Sequence, residues 1–177
     1  MPTDCDVPVP LASAACNRIL LEQGVTALGQ LSCEQYGDAR ARHSSVGAQF
    51  RHILDHYAAL FAGLATGRVD YDSRARDRTL EEDPAAAADA ARAWMVALEG
   101  LDAAAGDRRL LVQTDSGGGP GAPDWRESTV GRELQFLASH TVHHFALIKL
   151  LLEWHDVALD DDFGMAPSTR AHMAATR

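Results

Sequence analysis

Apolar residues recur at helical spacing in four segments of the chain, and this pattern predicts four long helices, at about 10–31, 45–67, 85–105 and 128–155. The second helix is expected to begin at Ser44 or Ser45, because either hydroxyl can accept the free amide groups of a first turn, and to stop at Gly67. The fourth has the clearest apolar stripe and begins near Ser128 and Thr129.

The segments that connect the predicted helices differ in composition. Residues 33–43 form a polar connector, and residues 68–83 a charged one that ends where Asp83 caps a helix with Pro84 in its first turn. Residues 110–114 and 125–129 are weakly β-prone and flank a glycine-rich turn at 117–121, which predicts a short hairpin. Residues 160–177 are expected to be a partly irregular C-terminal tail, with a short helix after Ser168.

Together these elements predict an all-α fold: a four-helix bundle with one long connection, carrying the hairpin, between its third and fourth helices. The length of 177 residues fits one domain spanning 1–177. Bundles of this kind build metal and cofactor sites in their cores from side chains on facing helices.

Charge and cysteine content narrow the class of protein. The net charge is −9, and Lys149 is the only lysine. Because binding to phosphates needs clustered Lys and Arg, neither nucleic acid nor an anionic membrane surface is an expected partner. Cys5, Cys16 and Cys33 are odd in number and lack C-x-x-C spacing, which favours reduced thiols. With no signal-like N-terminus and no apolar run of about 20 residues, a cytoplasmic location is expected.

The histidines carry the candidate chemistry. His140 and His144 are four residues apart on the fourth predicted helix, so their imidazoles point the same way and can reach one cation. Neutral imidazole is a common ligand of zinc, nickel and iron. His143 points away from this pair and is expected either to be exposed or to support the ligand histidines without binding the metal itself.

A third ligand is expected from the second helix, where His52 and His56 have the same spacing. A helical-wheel estimate favours His56, because it lies nearer the apolar stripe, and leaves His52 as the alternative. Asp55 is either an orienting carboxylate for a ligand histidine or a solvated side chain.

The stretches S-V-G-A-Q-F-R-H-I-L-D-H, which ends at His56, and S-H-T-V-H-H, which ends at His144, resemble the motifs of the DinB-like superfamily, whose members include the YfiT-type proteins. The resemblance implies that His52, His140 and His144 are the metal ligands. It also implies a divalent ion, Zn, Ni or Fe, with open positions for water or substrate. A homodimer is expected as well.

The resemblance further implies a metal-dependent enzyme acting on a small molecule, either a hydrolase or a low-molecular-weight thiol transferase. His56 and Asp55 are then candidates for acid–base catalysis, and Arg74 or Arg76 in the charged connector for gripping a substrate carboxylate. The alternative is a non-catalytic, metal-binding or stress-related dimeric bundle.

Overall fold

The computed structural model describes residues 11–39, 44–113, 124–155 and 157–176. The helices are, in chain order, α1 (Ala12–Leu28), α2 (Cys33–Gly37), α3 (Val46–Thr66), α4 (Arg78–Glu82), α5 (Pro84–Glu99), α6 (Ala103–Gly106), α7 (Val130–Leu152) and α8 (Pro167–Ala175). The strands are β1 (Arg68–Asp70), β2 (Arg109–Gln113) and β3 (Arg126–Thr129). A short 3-10 turn, Glu153–His155, follows α7.

The four long helices form the predicted all-α bundle. Helix α1 packs against α5 and α7, while α3 packs against α7 and α5, so the order around the bundle is α1–α7–α3–α5. Each helix turns its apolar stripe inward, and burying a large apolar side chain contributes about 1.5–3 kcal/mol. The largest fully buried apolar side chains of the long helices are Leu20, Ile53, Leu54, Tyr57, Leu60, Leu98, Leu134, Leu137, Phe145 and Ile148.

The predicted boundaries of α3, and the predicted starts of α5 and α7, are confirmed by their caps. The Ser45 hydroxyl accepts the amide of Ala48 at 3.0 Å, and Gly67 ends the helix in the left-handed conformation, with φ +73°. Asp83 and Thr129 cap α5 and α7 in the same way.

Two predicted helices were too long. Helix α1 ends at Leu28, and α5 ends at Glu99 rather than continuing to about residue 105. The helix does not continue beyond Gly100, because Asp102 caps a separate short helix, α6, by accepting the amide of Ala105 at 2.9 Å. A side chain that bonds nearby backbone competes with continuation of the helix.

The hairpin is confirmed as the antiparallel pair β2–β3, and it gains a third strand that the pattern did not predict. Strand β1 runs parallel to β2, with Val69 opposite Val112. It lies against the end of α3, where a Cβ on Gly63 would come within 2.5 Å of the Arg68 carbonyl oxygen. The predicted turn at 117–121 lies outside the described residues.

The two short helices α2 and α4 cover the beginning of α3. The Tyr36 hydroxyl of α2 donates to the Leu80 carbonyl of α4 at 2.5 Å, and a Cβ on Gly47 would lie 2.0 Å from the Glu81 carbonyl oxygen. Residues 71–77, which connect β1 to α4, pass beside the middle of α3. In the described parts of the chain, no helix combines the length and apolar character that spanning a membrane requires.

Candidate metal centre

Three histidines from α3 and α7 point their ring nitrogens at one place. The Nε2 atom of His140 lies 3.1 Å from Nε2 of His52 and 3.1 Å from Nε2 of His144. In the described residues, these three form the one group of His, Cys, Asp and Glu side chains whose ligand atoms lie mutually within 4.8 Å. Two nitrogens bound tetrahedrally at about 2.0–2.1 Å from zinc lie roughly 3.3 Å apart, so the spacing is close to that of a filled site.

The three imidazoles are half-buried and held neutral. Burial is the main cause, and it lowers the pKa of His52 to about 3, of His140 to about 2 and of His144 to about 4. The neighbouring imidazoles and the charge of Arg74 lower these pKa values further. All three rings are therefore neutral near pH 7, which is the form that binds a metal.

Hydrogen bonds place the lone pair of His144 toward the centre. Its Nδ1 lies 2.5 Å from Oε1 of Gln49 on α3, and an amide oxygen only accepts, so Nδ1 carries the proton. The Gln49 amide nitrogen donates to the Ser44 hydroxyl at 2.5 Å, which fixes the amide in this orientation. Nε2 of the neutral His144 ring is left as a lone-pair donor.

His140 supplies a further test of whether a metal fits. Its Nε2 is equally close to both neighbours, and its buried Nδ1 has no hydrogen-bond partner among the described residues. Lone pairs of neutral rings repel one another at this distance unless a proton or a cation lies between them. A divalent ion of the Zn, Ni or Fe type satisfies all three nitrogens at once, so the donor set fits such an ion.

His56, favoured over His52 by the wheel estimate, lies beside this group with both ring nitrogens engaged. Its Nδ1 donates to the His52 carbonyl at 2.7 Å, and its Nε2 accepts from Nη1 of Arg74 at 2.8 Å. Its ring centroid is 4.1 Å from that of His140 and 5.3 Å from that of Tyr71. Burial lowers the pKa of His56 to about 4, so this ring is neutral as well. The structure thus brings His52, and not His56, to ligand distance.

Asp55 faces the connector after β1 rather than the three nitrogens. It is 4% exposed; the backbone amide of Arg76 donates to it, and Arg51 lies 3.7 Å away. Burial raises the pKa of its carboxyl, while Arg51 and Arg74 oppose that shift. Asp55 therefore anchors the connector that carries Arg74, which is half-buried, and Arg76, which is exposed.

A cavity of about 340 Å³ adjoins the histidines, within the range of small-molecule pockets. Phe136 and Tyr71 line it, and the same rings contact His140 and His56, with centroids 5.5 Å and 5.3 Å apart respectively. Its remaining lining residues are Val112, Asp124, Arg126, Glu127, Ser128, Arg132 and Glu133.

Sequence reasoning missed the polar part of this cavity. Buried Glu133 accepts hydrogen bonds from the Tyr71 hydroxyl at 3.0 Å and from the Ser128 hydroxyl at 2.5 Å. Glu133 occupies the first turn of α7, where an acidic residue is ordinary, and no local pattern links it to Tyr71, 62 positions away.

A buried polar network behind the site was also missed. Asn17 of α1 accepts from the Tyr57 hydroxyl at 2.6 Å and donates to the Leu134 carbonyl at 2.8 Å. The Tyr57 hydroxyl also lies 3.3 Å from that of Thr141, the residue after His140. The network joins α1, α3 and α7 at the level of the histidines.

Comparison with known proteins places the chain in a family. The model of the DinB superfamily matches residues 23–148, a span that includes His52, His140 and His144. No curated protein and no solved structure shows a significant match.

Proposed function

Since the chain belongs to the DinB superfamily, we propose that it binds a divalent metal ion through His52, His140 and His144 and acts as a metal-dependent enzyme on a small molecule. The reaction classes are those implied by the sequence resemblance: hydrolysis, or transfer of a low-molecular-weight thiol. The ion is Zn, Ni or Fe.

The observation that carries this proposal is the convergence of three neutral imidazoles: Nε2 of His140 lies 3.1 Å from Nε2 of His52 and 3.1 Å from Nε2 of His144, and the three ligand atoms lie within 4.8 Å of one another. Three protein ligands leave at least one position free in a tetrahedral or larger coordination sphere, which distinguishes catalytic from structural zinc-type sites. A bound ion would act as a Lewis acid that lowers the pKa of a coordinated water or thiol.

The other residues are proposed to position the ligands and the substrate. Gln49 orients His144 through the Nδ1 proton. His56, predicted as an acid–base residue, has both nitrogens engaged, which supports a positioning role for it between Arg74 and His52. Asp55, the other predicted acid–base residue, is proposed to hold the connector. Phe136, which is partly exposed, is proposed to offer apolar surface to the body of a substrate in the adjoining cavity, with the buried Tyr71 ring packed behind it.

A turnover screen on metal-loaded protein tests the proposal, with aryl esters in one arm and a small thiol plus an electrophile in the other. Activity is expected to require metal and to vanish in His52→Ala and His144→Ala, while His143→Ala, an exposed neighbour on α7, stays active. Metal-loaded protein inert in both arms would favour the alternative, a non-catalytic metal-binding module. Equal activity in wild type and both ligand variants would contradict the site.

We also propose that the protein acts in the cytoplasm as a homodimer. Val96 on α5, an apolar side chain that is 69% exposed, is the position chosen to test for a contact between protomers. Sedimentation of the wild type as a dimer, and of Val96→Asp as a monomer, is expected. A monomeric wild type would rule out the dimer.

A further inference from the structure

The cavity beside the histidines has one deeply buried charged group in its wall, the carboxylate of Glu133. Glu133 is 6% exposed, and its two oxygens accept hydrogen bonds from the hydroxyls of Tyr71 and Ser128. Both donors are neutral, so they stabilise the carboxylate without cancelling its charge. Among the described residues, no ion pair includes Glu133.

A buried carboxylate without a positively charged partner is costly, and proteins usually pair such charges. The N-terminus of α7 offsets part of the charge of Glu133, because a helix N-terminus carries about half a positive charge. The oxygens also keep unused lone pairs, since a carboxylate offers about four acceptor positions and Glu133 uses two of them. A positively charged donor that enters from the cavity would therefore complete both the charge and the hydrogen bonds of Glu133.

The other charged side chains that line the cavity are exposed, so solvent screens them more strongly than it screens Glu133. Arg126 is paired with Asp124 at 2.9 Å. Glu127 and Arg132 carry opposite charges and compensate each other in the total. The cavity as a whole therefore keeps the negative charge of Glu133, at its most buried point.

Phe136 gives the same cavity an aromatic wall. Its half-buried ring lies beside that of Tyr71, with centroids 5.4 Å apart, and the face of an aromatic ring attracts an ammonium group. The Phe136 ring also contacts His140, with centroids 5.5 Å apart, so a ligand lying along Phe136 extends toward the histidines. A buried carboxylate and an aromatic ring are thus available to one organic cation within a volume of about 340 Å³.

We propose that this cavity binds the protonated amino group of a small organic amine, with the ammonium on the carboxylate of Glu133 and the carbon skeleton against Phe136. The binding site itself is argued from the cavity, and the inference rests on the proposed function only in taking the bound amine as the substrate. Glu133 is the specificity-determining residue, because a neutral ligand gains little from its charge and an anion is repelled by it.

The test is an NMR titration of the metal-free protein, in chelator at pH 7, with three compounds that share one skeleton and differ in charge. They are 2-phenylethylamine, which is a cation, 2-phenylethanol, which is neutral, and 3-phenylpropanoate, which is an anion. Wild type is compared with Glu133→Gln, which keeps the size of the side chain and removes its charge. Glu127→Gln is the matched control, since it makes the same change at an exposed position of the same cavity.

Wild type is expected to bind the amine roughly tenfold more tightly than the alcohol, the difference between a charge-assisted and a neutral hydrogen bond, and to bind the propanoate most weakly. Glu133→Gln should lose roughly tenfold in affinity for the amine and keep its affinity for the alcohol. Glu127→Gln should match wild type. If Glu133→Gln does not fold, the order of the three compounds on the wild type decides.

A wild type that binds none of the three compounds overturns the inference, as does one that binds the alcohol or the propanoate as tightly as the amine. An affinity for the amine that is equal in wild type and Glu133→Gln overturns it as well. Because the titration needs no metal, the two failures are distinct. A protein that binds the amine but holds no metal contradicts the proposed function, whereas one that holds metal but not the amine contradicts this inference alone.

Discussion

His144 of α7 donates its Nδ1 proton to the side-chain oxygen of Gln49 on α3, across 2.5 Å. The two residues are 95 positions apart, and their bond joins the two helices that supply all three candidate ligands. It fixes both the tautomer and the direction of the His144 ring, so that Nε2 offers its lone pair to the other histidines. Such supporting bonds are usual around metal-binding histidines.

The first prediction concerns this bond. Gln49→Leu removes the acceptor, and metal affinity is expected to fall roughly 10- to 100-fold because the ring is freed to turn or to change tautomer. Gln49→Glu keeps an acceptor at the same place and should retain tight binding. Competition with a chromophoric chelator measures both. Equal affinities for wild type and Gln49→Leu would show that the bond does not orient the ligand.

The second prediction concerns the polar network behind the site. Asn17→Leu removes the short hydrogen bond accepted from the buried Tyr57 hydroxyl and leaves only the longer contact with Thr141, so the free energy of unfolding should fall by about 1–3 kcal/mol. The Tm should drop by about 2–4 °C for each kcal/mol in a chain of this size. Metal stoichiometry should not change, because Asn17 contacts no ligand. An unchanged Tm would mean that the network contributes no stability.

The third prediction is a pH dependence of the metal-free protein. The pKa values of His52, His140 and His144 are lowered in the folded state from 6.5 to about 3, 2 and 4 respectively, so between pH 6.5 and about 4 the unfolded chain binds more protons. The stability linked to these histidines is therefore fully present above pH 6.5 and is lost progressively as the pH falls from 6.5 through the folded pKa values of about 4, 3 and 2.

Urea midpoints measured in chelator at pH 7.5 and 5.0 test this, with the double variant His140→Gln, His144→Gln as control. The wild-type midpoint should fall clearly with pH, and that of the control should fall less. Identical pH dependence in the two proteins would show that the histidines do not titrate as described.

The fourth prediction concerns the contact between α3 and α4. A Cβ on Gly47 would lie 2.0 Å from the Glu81 carbonyl oxygen, so Gly47→Ala should destabilise the protein by about 1–3 kcal/mol through forced displacement of α4. Gly37→Ala is the control, since a Cβ there meets nothing within 4 Å. Thermal unfolding compares them. Equal Tm values would mean that α4 can be displaced without loss of stability.

The sequence was informative where a local pattern has one structural solution. Ser45 and Gly67 mark the two ends of α3, and they could be predicted because capping depends on local sequence. The spacing of His140 and His144 likewise places both on one face of α7. Strand β1 could not be predicted, because three residues became a strand only by pairing with β2, about 40 positions away.

The choice between His52 and His56 shows most clearly what helical periodicity alone could not predict. Helical periodicity ranks residues by burial, and it selected His56, which is indeed buried, at 4% exposed. His52 is half-buried at the margin of the core, a position from which a metal ligand would also leave the ion accessible to a small molecule. The family motif pointed to His52, and the structure places its Nε2 beside that of His140, whereas the contacts of Gln49, Tyr71 and Glu133 join distant parts of the chain that no motif encodes.

The most direct test of the metal site is the metal content of the purified protein, measured by mass spectrometry after loading and desalting. Wild type and His143→Ala are expected to hold about one divalent ion per chain, and His52→Ala and His144→Ala to hold far less, because two imidazoles alone bind weakly. Full metal content in His52→Ala and in His144→Ala, or none in the wild type, would contradict the three-histidine site.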